Sequence, residues 1–242
     1  CSASQPSSWA IAEALRSGVA VSTSRPSPRR LLDAYESAAA MGASAVVSIH
    51  LSGALSGTVD AARLAAQDAP VPVHVVDSRS LAMGLGFAVL TAADARDRGL
   101  AMDEIVDAAT RRAAAADVLF YVDTLEYLRR GGRIGTASAM VGTAFAIKPL
   151  LELRDGSVAV LEKVRTTSRA LARLGDIACS RAGDLPVDVA VHHLGNPKKA
   201  ASLADELRTR LPRAGDVPVT EVGAVIGAHS GPGVIGVVIS PR

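Results

Sequence analysis

The chain has 242 residues, of which 49% are apolar and 21% charged. That is the balance of a folded globular protein long enough to bury a core without metals or disulfides, and it excludes disorder. Aromatics at 3% and a net charge of +2 exclude a stacking platform or a basic footprint for nucleic acid, and leave at most transient membrane contact.

The predicted elements run as follows. Ser27-Pro28 opens a helix that reaches about residue 41, with the proline where its missing N–H costs nothing. A strand follows at 45–51, a helix at 57–67 and a second strand at 71–77. Helices at 81–98 and 102–115 lead to a third strand at 117–122. Strands separated by helices of this length read as parallel βαβ units. The second half differs. Strands at 148–153 and 157–164 are joined by Arg154-Asp155-Gly156, a hairpin signal. A helix at 167–181, a strand at 187–192 and a helix at 197–211 follow, and two strands close the chain from 217 onward. Hairpins mixed with helices suggest an α+β layer with an antiparallel sheet. The expected division is 1–147 and 148–242.

Residues 222–241 contain no Asp, Glu, Lys or Arg, and the run is long enough for a membrane helix. Gly227-Ala228-His229-Ser230-Gly231-Pro232-Gly233 at its centre would break such a helix. Two buried strands around a Gly-Pro-Gly turn fit better. Two cysteines, Cys1 and Cys179, build neither a disulfide framework nor a zinc site. With no signal-peptide pattern, a reducing cytoplasm is the expected compartment.

Four stretches carry chemistry. Ser52-Gly53-Ala54-Leu55-Ser56-Gly57-Thr58 lies between a strand and a helix, where parallel sheets place ligands. Its hydroxyls and the helix start at Gly57 suit a carboxylate or phosphate, or simply cap the helix. Ser22-Thr23-Ser24-Arg25-Pro26-Ser27-Pro28 is a hydroxyl-rich turn. Arg129-Arg130-Gly131-Gly132-Arg133-Ile134-Gly135 is a basic, glycine-rich turn that could hold an anion or an acidic partner. His229, in its glycine turn, could donate to a carboxylate or act as a base. Gly84-Leu85-Gly86 lacks the third glycine of a dinucleotide loop, no phosphate-binding Walker loop occurs, and His192-His193 has no ligand cluster at metal spacing. No metal or cofactor is expected.

In combination these stretches resemble the DegV family of bacterial fatty-acid-binding proteins. The resemblance rests on Thr23-Ser24-Arg25-Pro26-Ser27 and on the run from Ser48-Ile49-His50 to Ser56-Gly57-Thr58. It continues through Val76-Asp77-Ser78, the glycine-arginine motif ending Gly132-Arg133-Ile134-Gly135, Ile147-Lys148-Pro149, Asp155-Gly156-Ser157-Val158 and Lys163-Val164-Arg165-Thr166, and ends at His229 to Gly233. It implies a two-domain α/β fold: a parallel-sheet, three-layer domain and an α+β domain with an antiparallel sheet, with a ligand tunnel between them. It also implies that a first parallel strand is missing from this chain.

The implied ligand is a long-chain fatty acid. Its carboxylate would sit among Thr23, Ser24, Ser56, Gly57, Thr58 and His229. Arg133 would face a partner or a phosphate. The implied partner is a fatty acid kinase subunit, with the protein a monomeric, non-enzymatic carrier of fatty acid and acyl phosphate. Residues 81–90 and 137–147 are the expected tunnel lining. Two rival readings remain: a serine hydrolase using Ser56, His229 and Asp77 without the usual elbow, and a binder of small phosphorylated metabolites.

Overall fold

The computed structural model of the chain describes residues 7–140 and 148–242. They fall into two compact units. One is Ser24–Ala116; the other joins the residues up to Thr23 with Asp117–Arg242.

The smaller unit begins with α2 (Pro28–Ala40), opened as its Ser-Pro start dictates: Ser27 Oγ accepts the Arg30 N–H at 3.4 Å and Pro28 fills the first turn. It continues with β1 (Val46–His50), α3 (Thr58–Gln67), β2 (Val73–Asp77), α4 (Ala82–Asp97) and α5 (Met102–Ala114). β1 and β2 pair in parallel from Val46↔Val73 to His50↔Asp77. The two-residue period of a strand sends Val47 and Ile49 to one face, where they pack on Ala92 and Ala95 of α4 and Ile105 and Ala109 of α5. Ser48 and His50 take the other face. There the Tyr35 hydroxyl of α2 lies 2.8 Å from Ser48 Oγ, which lies 2.7 Å from His50 Nε2. Helices thus cover both faces of the parallel strands.

The larger unit holds α1 (Ser8–Arg16), β3 (Asp117–Tyr121), α6 (Glu126–Arg130), a short 3-10 turn (Gly135–Met140), β4 (Lys148–Arg154) and β5 (Ser157–Val164). After these come α7 (Thr167–Ala182), β6 (Val187–His193), α8 (Pro197–Arg210), β7 (Val219–Glu221), α9 (Ala224–Ser230) and β8 (Ile235–Pro241). Its six-stranded sheet has the order β5-β4-β3-β8-β6-β7, with every pair antiparallel except β6 and β7. The β4–β5 hairpin turns at Asp155 (φ 53°) and Gly156 (φ 79°), two left-handed residues whose twist matches that of the strands. Leu119, Leu150, Leu174, Val191, Leu207 and Ile239 meet in the core between the sheet and helices α7 and α8.

Three expectations are corrected. The strand at 117–122 is not a third parallel strand: β3 lies antiparallel between β4 and β8. Val118, Leu119 and Tyr121 are all buried, and such a run suits either kind of sheet. The contact break accordingly falls at Ala116/Asp117 rather than at 147/148, and the residues up to Thr23 belong with the larger unit. Finally, residues 222–226 are not a strand. β7 stops at Glu221, Gly223 caps α9 in an extended conformation, and the helix runs to Ser230. A short apolar run of this kind does not separate strand from helix by periodicity. Helices α1 and α6 were not anticipated.

Truncating Leu174 to Ala removes a fully buried side chain from the main core, and a loss of about 2–5 kcal/mol is expected in urea unfolding. His192, buried on β6 and 2.8 Å from the Thr220 hydroxyl, is pushed down to about 4, chiefly by burial and further by His193. The unfolded chain takes up that proton near the ordinary histidine value, so stability falls as pH drops from about 6.5 towards about 4. His192→Gln should flatten that part of the pH–stability curve.

Candidate functional site

In the larger unit the histidine motif is built on α9. Ile11 and Leu15 of α1 pack against Ala228, with Val21, Tyr127 and Ala224 around them. This packing fixes α9 and puts His229 in its last turn. His229 Nε2 lies 2.7 Å from Thr23 Oγ1. The opposite edge of the ring is pressed on Gly131, where a Cβ would overlap Nδ1. Nδ1 is buried and has no hydrogen-bond partner. A ring nitrogen without an acceptor does not hold the proton well, so the bonding assigns the proton to Nε2. Nε2–H then donates to Thr23, and the Thr23 hydroxyl keeps its own proton for another acceptor. Burial first, and the Arg133 charge second, hold His229 below the ordinary histidine range, so the ring is neutral at pH 7.

The two glycine motifs serve this arrangement. Arg133 Nη1 donates to the Gly131 carbonyl at 2.6 Å, closing the loop under the ring. Gly231, just past α9, has φ 74°, and the Tyr127 ring occupies the space a side chain would need. Beyond it, the Asp123 carboxylate lies where a Gly233 side chain would go. Asp123 also accepts from the Tyr121 hydroxyl, which burial and this bond push up to about 12.

In the smaller unit, the loop after β1 is tied down by buried serines and one carboxylate. Ser52 N donates to the Ser80 carbonyl at 2.8 Å, and the Ser52 carbonyl receives Leu55 N and Ser56 N. Asp77 receives Gly53 N at 3.1 Å and Arg79 N at 2.9 Å. The helix α3 then starts from Gly57 with no side-chain cap. Ser56 does not cap it: its hydroxyl lies 2.8 Å from the Thr58 hydroxyl. The capping alternative for these residues is therefore not what forms. Ser24 is exposed.

The structure brings Thr23 to His229, and Ser56 to Thr58. It does not give the hydrolase reading its bonds. Asp77 is engaged by two backbone N–H groups, and His229 Nδ1 has no carboxylate to orient it. Among the described residues no group of three or more His, Cys, Asp or Glu could hold a metal ion, and no helix is long and apolar enough to cross a membrane. Of the expected tunnel lining, residues 141–147 lie outside the described residues. Sequence reasoning gave no role to Gly131, which is set by a contact with a residue 98 positions away in the chain (229 − 131), nor to the Tyr35–Ser48–His50 chain. The alternation of Ser48 and His50 on β1 was a usable signal for the latter.

The smaller unit thus carries a pair of hydroxyls at the start of α3, and the larger unit a neutral histidine held by glycine turns. A family model described as "Uncharacterised protein, DegV family" matches residues 5–242, and the chain belongs to the DegV family. It is 56% identical over 236 residues to a DegV domain-containing protein of Streptomyces coelicolor, covering 98% of this chain and 84% of that one. With a DegV domain-containing protein of Mycobacterium tuberculosis it shares 42% over 218 residues, covering 90% and 78%. Among solved structures, it resembles a DegV family protein from Thermus thermophilus described as binding fatty acid. The TM-score is 0.92 at 33% identity, covering 98% of this chain and 85% of that one. DegV from Bacillus subtilis, described as a fatty acid binding protein, matches with a TM-score of 0.86 at 30% identity, covering 95% and 82%.

Nitrogen-15 NMR at pH 7 should show His229 with a pyrrole-type Nε2 and a pyridine-type Nδ1, titrating below the ordinary histidine value. Gly131→Ala should displace the ring and move that titration back up. A pyrrole-type Nδ1 in the parent protein would reverse the donor assignment.

Proposed function

We propose that the protein binds a long-chain fatty acid and holds its carboxylate with the hydroxyls of Thr23, Ser24, Ser56 and Thr58, the backbone at Gly57, and His229. The observation that carries this reading is the 2.7 Å pair of Thr23 and His229. It joins two separated family motifs and leaves the threonine hydroxyl free to donate. Relatives described as fatty-acid-binding proteins support the ligand class. In this reading the protein is a carrier. It presents the carboxylate to a partner kinase, with Arg133 at the docking or phosphate position, and holds the acyl phosphate product.

The energetics favour the tail as the source of affinity. About 14 methylenes of a sixteen-carbon acid contribute ~0.8 kcal/mol each on burial, a gross ~11 kcal/mol. Freezing the chain and the body motion of the ligand takes back a large part of that. What remains is compatible with micromolar binding or tighter. The hydroxyl and imidazole bonds mainly fix the direction of the head group. They need not act as nucleophiles.

Native mass spectrometry of the purified protein, followed by organic extraction, tests the ligand class. An added mass matching a fatty acid of fourteen to eighteen carbons is the expected result. A bare protein that also refuses added oleate and palmitate would refute it. Ser56→Ala should impair phosphorylation by a partner kinase more than it impairs tail binding, whereas shortening the acid should weaken binding steeply. Full phosphoryl transfer to acid bound by His229→Ala would remove the histidine from the mechanism.

A further inference from the structure

Arg25 stands inside the first serine motif, Thr23-Ser24-Arg25-Pro26-Ser27, and none of the roles above uses it. Its side chain lies against the second serine motif. A Cβ placed on Gly57 would meet Arg25 Nη1 at 2.5 Å and Arg25 Cδ at 3.1 Å. Gly57 has an ordinary φ of −71°, so a side chain there would meet the arginine rather than a backbone restraint, and the exposed arginine would have to swing aside. The residues on either side of Gly57 are Ser56 and Thr58, the hydroxyl pair. A guanidinium is therefore laid directly on the short segment that carries both hydroxyls.

This guanidinium is uncommitted. Arg29, Arg63, Arg96 and Arg98 of the same unit each pair with a nearby carboxylate. Arg25 is exposed and, among the described residues, has neither a hydrogen bond nor an ion pair. A guanidinium keeps its charge throughout the physiological pH range and offers a planar fork of N–H donors that matches the two oxygens of a carboxylate or phosphate.

We infer that Arg25 is the cationic ligand of the acid head group at Ser56 and Thr58, and that it makes the protein select an ionised amphiphile over an uncharged one with the same tail. This rests on the fatty-acid reading above and adds to it the source of head-group charge selectivity. Because the arginine is exposed, its contribution is modest and falls with salt. The expected effect is a roughly three- to tenfold preference at low ionic strength, the scale of ~1 kcal/mol.

The test compares oleate with oleyl alcohol, which carries the same tail without the charge. Both are titrated against the full chain at about 20 mM and about 500 mM salt, where screening lengths differ severalfold. The parent protein should prefer oleate, with the preference shrinking at high salt. Arg25→Gln should lose most of that preference and its salt dependence while binding oleyl alcohol as the parent does. Gly57→Ala, which keeps the charge but forces the guanidinium aside, should lose part of it. Arg25→Gln binding oleate with the parent's affinity and salt slope would overturn the role of Arg25 and leave the fatty-acid reading standing. A parent protein that takes up neither amphiphile would overturn both.

Discussion

The contact between the His229 ring and Gly131 is the constraint on which the histidine motif of the larger unit depends. An imidazole pressed on a glycine Cα has one nitrogen sealed from water and from any partner. Leaving a buried acceptor unsatisfied costs about 1–3 kcal/mol, and the surrounding structure must offset it. The offset is visible in the packing of α1 on α9, in the Tyr127 ring filling the space over Gly231, and in the Arg133 bond that closes the Gly131 loop. In return the ring has one tautomer and one orientation. Histidine elsewhere changes state with small changes of surroundings; here it is fixed as a neutral donor.

In the smaller unit α3 starts without a side-chain cap although hydroxyl residues flank its first turn. Ser7, Ser27 and Thr166 cap α1, α2 and α7, whereas α4, α5, α6, α8 and α9, like α3, start without a side-chain cap. α3 is flanked by a serine and a threonine equally able to cap, and neither does so. One hydroxyl of the pair donates to the other, and the second keeps its proton for another acceptor. Natural sequences tend to depart from local consistency at functional positions and to compensate nearby. The compensation here is the rigid loop before the helix, where Asp77 and buried Ser52, Ser78 and Ser80 satisfy the backbone at the carboxyl ends of both parallel strands.

Much of this was legible in the sequence, for identifiable reasons. The Ser27-Pro28 start, the Asp155-Gly156 hairpin and the helices at 57–67, 81–98 and 167–181 were legible in the sequence, and the structure bears them out. The strand at β3 was legible as a strand, but its partners were not. Its neighbour β8 lies over a hundred residues on, and a mostly apolar strand says nothing about direction. The run at α9 failed for a related cause: Val, Ile, Ala and Gly in seven residues fit a buried strand or a short helix, and Gly223 and Gly231 decide the matter only through their φ and ψ. For the candidate site the motifs pointed to Thr23, Ser56, Thr58 and His229, and the structure pairs Thr23 with His229 and Ser56 with Thr58. The arginine over Gly57 and the glycine under His229 are tertiary contacts, invisible to spacing.

Charge and hydrogen bonding are thereby divided between different residue types. In the proposed reading the uncharged His229, Thr23, Ser56 and Thr58 would specify direction. An ionised head group surrounded by neutral donors alone would bring its full charge into a partly dehydrated place, which is costly unless a counter-charge is near. A histidine could supply one by protonating, but the burial that fixes the His229 tautomer also disfavours its charged form. In the proposed reading the counter-charge comes from a group that keeps its proton across physiological pH, a condition the Arg25 guanidinium meets. On that reading, a histidine kept neutral and a guanidinium beside the hydroxyl segment would both serve one requirement: head-group binding that does not change across physiological pH.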